Sequence, residues 1–158
     1  MAARASTTAN PEAYIATLMA RFDSKEQQLF QALRKALRKR FPTLNELVYD
    51  YGKKVVIGYS PTEAGGEGLV ALSADGEGVR LYLTNGSSIP DPRKLLLGKA
   101  GARYMVLESI QELQKAEVEA LLCAAVERAK VPVPAGGKGA LIVKETTASK
   151  KAKKPVKR

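Results

Sequence analysis

The strongest constraint on the fold is the dipeptide Asp75-Gly76, which stands between two apolar stretches, residues 69–74 and 79–83. In the second stretch every other residue, beginning with Val79, is a large aliphatic residue, the pattern of a strand with one buried face. Asp-Gly favours a type I′ turn, in which both central residues need a positive φ. The sequence therefore predicts an antiparallel β-hairpin here, and with it a β-sheet.

Two helices are predicted ahead of this sheet. Asn10-Pro11 resembles an N-cap followed by a first-turn proline, and apolar residues then recur at helical spacing as far as Phe22. Ser24 and Gln27 resemble a capping box that begins a second helix, and Pro42 ends that helix because it lacks a backbone N–H.

Other segments extend the sheet and add helical structure. Alternation predicts a strand over residues 55–59, and shorter apolar runs predict strands over 104–107 and 140–143. A last helix is predicted over residues 114–130 from its apolar face. We expect residues 43–50 to form one or two further helical turns before the first strand.

This order of elements predicts an α+β domain, in which N-terminal helices and a C-terminal helix pack on one face of an antiparallel β-meander sheet. A chain of 158 residues is about one domain long. We expect a flexible N-terminus over residues 1–10, the folded domain over 11–143 and a disordered basic tail over 144–158, because the tail lacks the large apolar groups that would order it.

Composition excludes several classes of function. The chain has no histidine and one cysteine, Cys123, so an internal disulfide and zinc sites of the Cys/His kind are excluded. Neither a glycine-rich phosphate loop of Walker or Rossmann type nor a paired nucleophile and base is present. We therefore expect binding without catalysis, and no cofactor. We also expect a cytoplasmic location, because no signal-peptide core or membrane-length apolar run occurs.

The net charge of +10 is concentrated at the C-terminus. Residues 144–158 carry seven Lys or Arg and one acid, so they account for six of these charges and leave the body mildly basic. A basic tail and a basic helix face would together favour sequence-independent contact with DNA or RNA phosphates. The candidate contacts are Arg34, Lys35, Arg38, Lys39, Lys150, Lys151, Lys153 and Lys154. The alternative for the helix is a solvated face, since cations stabilise a helix C-terminus in any case.

A second candidate site lies at the end of the meander. Asp91-Pro92 resembles the start of a short helix and Gly98 the residue just past its end. Backbone N–H groups at such a helix start attract anions, and several polar and basic residues surround it. The candidate anion-binding residues are Ser87, Ser88, Arg93, Lys94, Lys99 and Arg103. In the structural alternative, Arg103 pairs with Asp91 and locks the loop.

Four segments carry a resemblance to a known family: PTLNELVYDYG, GVRLYLTNGSSIPDP, LLLGKAGAR and EVEALLCAAVERA. Together they resemble the YdhG-like family over about residues 12–130. The most specific part is a pattern met by Asp91, Pro92, Leu95, Leu96, Gly98, Lys99 and Arg103. The resemblance implies a compact α+β fold. The family is largely catalogued as a domain of unknown function, and some relatives are linked to iron delivery with a frataxin-like shape.

An iron-delivery role would depend on carboxylates in this chain. Relatives often carry a tryptophan near the first strand and a histidine just before the third, where this chain has Tyr49 to Tyr51 and Val79-Arg80. Oxygen ligands alone would hold ferrous iron weakly. The available acids are Glu108, Glu112, Glu117 and Glu119, and the alternative for them is a solvated helix surface.

Two further features favour structural roles. Cys123 borders the apolar face of the last helix, which predicts a buried or half-buried thiol. The strand face that bears Arg80 and Tyr82 is similar to a base-stacking platform, but tyrosine on a half-buried sheet is more often ordinary packing.

The sequence as a whole predicts a binding protein for an anionic small molecule or an acidic partner, engaged near residues 91–103. The alternatives are iron delivery, implied by the resemblance, and nucleic-acid association through the basic tail.

Overall fold

The structure, a computed structural model, describes residues 10–98, 102–144 and 146. In chain order its helices and strands are α1 (Pro11–Met19), α2 (Ser24–Arg40), β1 (Asn45–Asp50), β2 (Val55–Ser60), β3 (Val70–Ala74), β4 (Val79–Leu83), β5 (Arg103–Leu107), α3 (Ala116–Glu127) and β6 (Leu141–Lys144). Short 3₁₀ turns occupy Gly65–Glu67, Gly86–Ser88 and Ile110–Gln114. None of the helices in the described residues is long and apolar enough to cross a bilayer.

The six strands form one mixed sheet in the order β5-β4-β3-β2-β1-β6. Strands β1 to β5 are an antiparallel meander, and β6 returns to pair with β1 in parallel. The predicted α+β fold is confirmed, with β6 as the one parallel strand. A parallel partner requires a long crossover, and the crossover here contains α3.

The helices pack on one face of the sheet and share a single core with it. Alternate strand residues such as Ile57, Leu72 and Leu81 are fully buried beneath Phe30 and Leu33 of α2. Burial of such side chains is the main favourable term in folding. The buried residues of α1 and α3 belong to the same cluster.

The helical prediction for residues 43–50 is wrong, because this segment contains β1. The strand pattern was hidden by two carboxylates, Glu46 and Asp50, which point into the protein instead of into solvent. Each is neutralised by an arginine: Arg34 of α2 pairs with Glu46, and Arg21 of the α1–α2 turn pairs with Asp50. Without knowledge of those partners, two acids four residues apart resemble the exposed face of a helix.

The predicted N-cap of α2 and the predicted turn of the β3–β4 hairpin also need correction. The N-cap of α2 is Asp23, whose carboxylate accepts a hydrogen bond from the Glu26 N–H (2.8 Å), and Ser24 is already helical. The β3–β4 hairpin is confirmed, but its connection has four residues and Asp75 does not adopt a positive φ. Instead, Gly76 adopts a φ of 89°. The predicted N-cap at Asn10 is confirmed by a 3.1 Å bond from the Ala13 N–H.

The predicted tail boundary is one residue too early, since Lys144 is the last residue of β6. Its Nζ donates to the carbonyl of Glu63 (2.5 Å). Apart from Lys144 and Thr146, the predicted tail lies outside the described residues, as does the N-terminus before Asn10.

A buried ionic cluster joins the helices to the sheet. Arg34, with 6% of its side chain exposed, donates from Nε and Nη2 to Glu46 (2.9 and 3.0 Å). It also donates from Nη1 and Nη2 to Glu12 of α1 (2.7 and 2.8 Å). The fully buried Tyr59 donates its hydroxyl to Glu46 (2.8 Å). These bonds satisfy a carboxylate that would otherwise destabilise the core.

We predict that R34M lowers the free energy of unfolding by about 3–5 kcal/mol, because it leaves the buried Glu46 carboxylate with only the Tyr59 hydrogen bond and the longer 3.4 Å contact to Arg38. Urea denaturation would measure the loss. The neighbouring exposed substitution K35M is the control and should change stability by less than about 0.5 kcal/mol. The double variant R34M/E46L should recover much of the loss, and a double variant as unstable as R34M would contradict this account.

A second prediction concerns acid stability. Hydrogen bonds from Arg21 (2.7 and 3.0 Å) lower the pKa of Asp50 below its usual value. Burial raises that pKa, but by less than the hydrogen bonds lower it. A carboxyl whose pKa is depressed by folding contributes stability above its unfolded pKa and loses it as the pH falls through the folded value. The free energy of unfolding should therefore fall progressively below about pH 4. The variant D50N should be less stable at neutral pH and show a shallower decline. An equally steep decline would count against the role of Asp50.

Candidate functional site

One face of α2 forms the wall of a cleft of about 650 Å³. The wall residues are spaced at i, i+3, i+4, i+7 and i+8, the positions that share one side of a helix: Gln31, Arg34, Lys35, Arg38 and Lys39. The opposite wall is the segment over residues 137–141, which leads into β6. We call this space the α2 cleft.

The α2 cleft is strongly basic. Five cations and one carboxylate, Glu46, line it, and Arg34 already neutralises that carboxylate. Lys35, Lys39 and Lys138 are exposed, and within the described part of the chain none of these three ammonium groups has an ion pair. The positive charge of the cleft is therefore available to a ligand.

The two arginines of the cleft are held by acids. Arg38 contacts both Glu12 and Glu46 at 3.4 Å, and Arg34 contacts the same pair at shorter distances. The hydrogen bond from Arg34 lowers the pKa of Glu12, with burial opposing. Glu12 is therefore ionised near neutral pH and keeps the arginines in place, so the lysines are the mobile cations.

Backbone hydrogen bonds anchor the second wall to the α2–β1 connection. The Gly139 N–H donates to the carbonyl of Pro42 (3.0 Å), and the Ala140 N–H donates to Asn45 Oδ1 (2.9 Å). The Glu46 N–H returns a bond to the carbonyl of Ala140 (2.8 Å). Gly139 lies so close to the Leu44 carbonyl that a Cβ atom would overlap it. Glycine is therefore required where the wall meets the connection.

The structure separates the four helix cations that the sequence grouped together. The prediction that Arg34 is exposed is wrong, because its guanidinium is buried against Glu46. Lys35, Arg38 and Lys39 are exposed as predicted and line the α2 cleft. The four tail lysines, Lys150, Lys151, Lys153 and Lys154, lie outside the described residues.

Sequence reasoning missed the contribution of Lys138 to the α2 cleft. This lysine stands among Gly136, Gly137 and Gly139, a run that resembles an ordinary linker. The close approach of Gly139 to the α2–β1 connection is a tertiary contact, so no local sequence pattern predicts it.

The helix predicted after Asp91 does not form. The Asp91 carboxylate accepts hydrogen bonds from the N–H groups of Leu95 (2.8 Å) and Leu96 (2.9 Å), and so caps a wide loop. Leu97 then pairs with Tyr104 through N–H to carbonyl bonds of 2.7 and 3.1 Å. This pairing extends the chain beside the sheet edge and competes with helix formation. The N–H groups expected to attract an anion are those of Arg93 and Lys94, and the Lys94 N–H donates instead to the carbonyl of Asp91 (3.0 Å).

The candidate anion-binding residues do not share one cleft. Ser87 and Ser88 are exposed, and Gly86 beside them packs on the Arg103 side chain. Arg93 instead lines a cleft with α3 that neither serine nor Arg103 lines. Lys94 is exposed with a φ of 54°, and Lys99 lies outside the described residues.

The alternative pairing of Arg103 with Asp91 does not occur. Arg103 Nη2 donates instead to the carbonyl of Leu96 (2.8 Å). Its Nε is buried and has no hydrogen-bond partner. The guanidinium therefore supports the same loop as Asp91, but through the backbone.

Two of the four acids considered for iron, Glu112 and Glu119, are engaged elsewhere. Glu119 pairs with Arg40 (2.8 Å), and Glu112 accepts a bond from the Glu108 N–H (2.8 Å). Among the described residues, no three Cys, Asp or Glu side chains are grouped so as to hold a metal ion. Cys123 is exposed, contrary to the predicted burial, and its thiol donates to Glu119 (3.3 Å).

Comparisons of this chain with protein families, with curated proteins and with solved structures find no match. The resemblance to the YdhG-like family therefore stays a prediction, and the function must be inferred from the geometry and charge of the site.

We predict that G139A separates the second wall of the α2 cleft from the Leu44 carbonyl, because the added Cβ meets rigid backbone. Overpacking of this kind costs about 1–3 kcal/mol. Amide hydrogen exchange at Glu46 and Ala140 should become faster, and chemical denaturation should show the loss. The control is G136A, whose added Cβ meets nothing within 4 Å. Equal exchange rates in the two variants would contradict the anchoring role of Gly139.

Proposed function

We propose that this protein binds nucleic acid in the α2 cleft, by contacting the phosphate backbone of the nucleic acid. The observation that carries the proposal is the pair Lys35 and Lys39 on one helix face, with Lys138 on the opposite wall and no free carboxylate among the lining residues. Lys35 and Lys39 are about 6 Å apart along the helix axis. Over that distance one strand of B-DNA presents about two phosphates.

The character of the α2 cleft favours a polyanion over a small metabolite. Small-molecule sites are mostly apolar, with a few polar groups held in fixed positions. Here the free groups are exposed lysines on flexible stems, which act as point charges without a fixed direction. Such groups suit an extended ligand that carries many similar charges, and the net charge of +10 adds long-range attraction.

The binding is expected to be independent of base sequence. Specific base contacts usually come from bidentate Arg, Asn or Gln side chains. The guanidinium groups of Arg34 and Arg38 are engaged by Glu12 and Glu46, so the lysines would contact phosphates only. The basic tail would add further phosphate contacts of the same kind.

The other predicted functions have weaker support. The site for a small anion or acidic partner near residues 91–103 depended on a helix start, and the described residues there form a loop. The iron-delivery alternative would need Glu112 and Glu119, which already contact backbone and Arg40, and no three possible metal ligands are grouped in the described part of the chain.

We predict that K35Q/K39Q/K138Q weakens binding to a 20-base-pair duplex and reduces its salt dependence. Each lost phosphate contact lowers the slope of log affinity against log salt concentration by about 0.9, so a change of about 2–3 is expected. Fluorescence anisotropy over a series of salt concentrations would measure both quantities.

The matched control is K25Q/K115Q/K130Q, which removes three exposed lysines outside the α2 cleft. A chain that ends at Thr146 separates the contribution of the tail. Identical slopes for the two triple variants, or an affinity lost entirely with the tail, would contradict binding in the α2 cleft.

A further inference from the structure

The second face of the sheet carries no helix among the described residues. The strand register places two rows of side chains across it. One row runs Gly58, Ala71, Tyr82, Tyr104, and the other runs Val56, Ser73, Arg80, Val106. We call these two rows the open sheet face.

The connection over residues 61–69 covers only one end of this side of the sheet. Lys144 Nζ donates to the carbonyl of Glu63 (2.5 Å), and Asn45 Nδ2 donates to the carbonyl of Thr62 (3.1 Å). Both bonds hold the connection above β1 and β6. The open sheet face lies on β2 to β5. The glycines of the connection border it beside Gly58 and Ala71. Exposure then rises across the second row, from 1% at Ser73 to 44% at Val106 on the far edge.

Small residues create a trough in the middle of this side. Gly58 and Ala71 are paired neighbours without bulk, while the Tyr49 ring lies beside Gly58 and Tyr82 lies opposite Ala71. A cleft of about 420 Å³ lies over Gly58 and Ala71 and is also lined by Tyr49 and Tyr51. This volume is within the range of about 300–1,000 Å³ that small-molecule sites occupy.

Four tyrosines stand in two pairs around the trough. The rings of Tyr82 and Tyr104 are 5.2 Å apart and tilted by 41°, and those of Tyr49 and Tyr51 are 5.8 Å apart and nearly parallel. Tyr51 is 51% exposed, and Tyr49, Tyr82 and Tyr104 are half-buried. Exposed aromatic rings on a sheet are the usual surface on which unpaired bases stack, and such stacking is tolerant of base sequence.

The six strands place Arg80 and Lys144, but no acid, on this side of the sheet. Glu46 and Asp50 are the only acids within the six strands, and both face the helices. Arg80 lies on the open sheet face, 5.0 Å above the Tyr104 ring, and its one acidic neighbour among the described residues is Asp75, at the long distance of 3.9 Å. Lys54 lies 5.8 Å from the Tyr51 ring. A polyanion complements this arrangement. A second copy of the chain, or its own basic tail, would instead bring like charges together.

We propose that the open sheet face binds the unpaired bases of a single-stranded nucleic acid. Bases stack on Tyr82 and Tyr104 and enter the trough over Gly58 and Ala71, while Arg80 contacts the adjacent phosphate. This site is separate from the α2 cleft and has a different preference: a duplex hides its base faces, so only a single strand gains from the tyrosines.

The test compares Y82L/Y104L with Y82F/Y104F. Leucine removes the aromatic rings, whereas phenylalanine keeps them and loses only the hydroxyls. Anisotropy with a labelled 12-nucleotide oligo(dT) should show a loss of affinity on the order of 10-fold or more for the leucine variant, since base stacking contributes about a factor of ten or more per base. The phenylalanine variant should stay within about threefold. Affinity for a matched duplex should not change in either variant.

A second variant keeps the test decisive if Y82L/Y104L fails to fold. A71L fills the trough without removing a ring, and it should weaken binding of oligo(dT) but not of duplex. K35Q/K39Q/K138Q should weaken both, so failure of the α2 cleft and failure of the open sheet face are distinguishable. Unchanged oligo(dT) affinity in A71L and Y82L/Y104L would overturn the proposal. So would sedimentation showing a wild-type dimer that Y82L/Y104L converts to monomer, because the face would then be an interface between two copies.

Discussion

Arg34 lies in the middle of α2 with its guanidinium between Glu46 of β1 and Glu12 of α1, and this contact sets how the helix lies on the sheet. Once Arg34 is turned inward, its helical neighbours Lys35, Arg38 and Lys39 must lie along the edge of the contact. The same contact neutralises the one carboxylate that lines the α2 cleft. A buried ion pair contributes little net stability, but here it determines both the orientation of the helix and the charge of the cleft.

The sheet separates charge between its two sides. The acids of β1 face the helices, where Arg34 and Arg21 pair with them, while the outward side holds tyrosines, small residues and Arg80. Two surfaces suited to polyanions follow from this separation, a lysine-lined cleft for phosphates and a tyrosine-lined face for bases. They lie on different parts of the molecule, and each has a distinct dependence on salt and on strand pairing.

Much of the fold was predictable because its signals are local. The hairpin around Asp75-Gly76, the N-cap at Asn10 and the apolar face of α3 are read from residues close in the chain. β1 was not predictable in this way, since Glu46 and Asp50 are acceptable in a buried strand only with arginines from distant parts of the chain, in α2 and in the α1–α2 turn. The prediction of a helix after Asp91 was wrong for a related reason. The pairing of Leu97 with Tyr104 at the sheet edge outweighs the local helix signal.

The sequence by itself determined the α+β class, the concentration of positive charge and the absence of imidazole, because composition and periodicity are properties of neighbouring residues. Only the tertiary structure decided which cations are free. Lys35 and Arg34 are adjacent in the chain, yet one is exposed and the other is buried between two carboxylates. That difference depends on the side of the helix that meets the sheet, and on a parallel strand, β6, that carries Lys138 to the opposite wall.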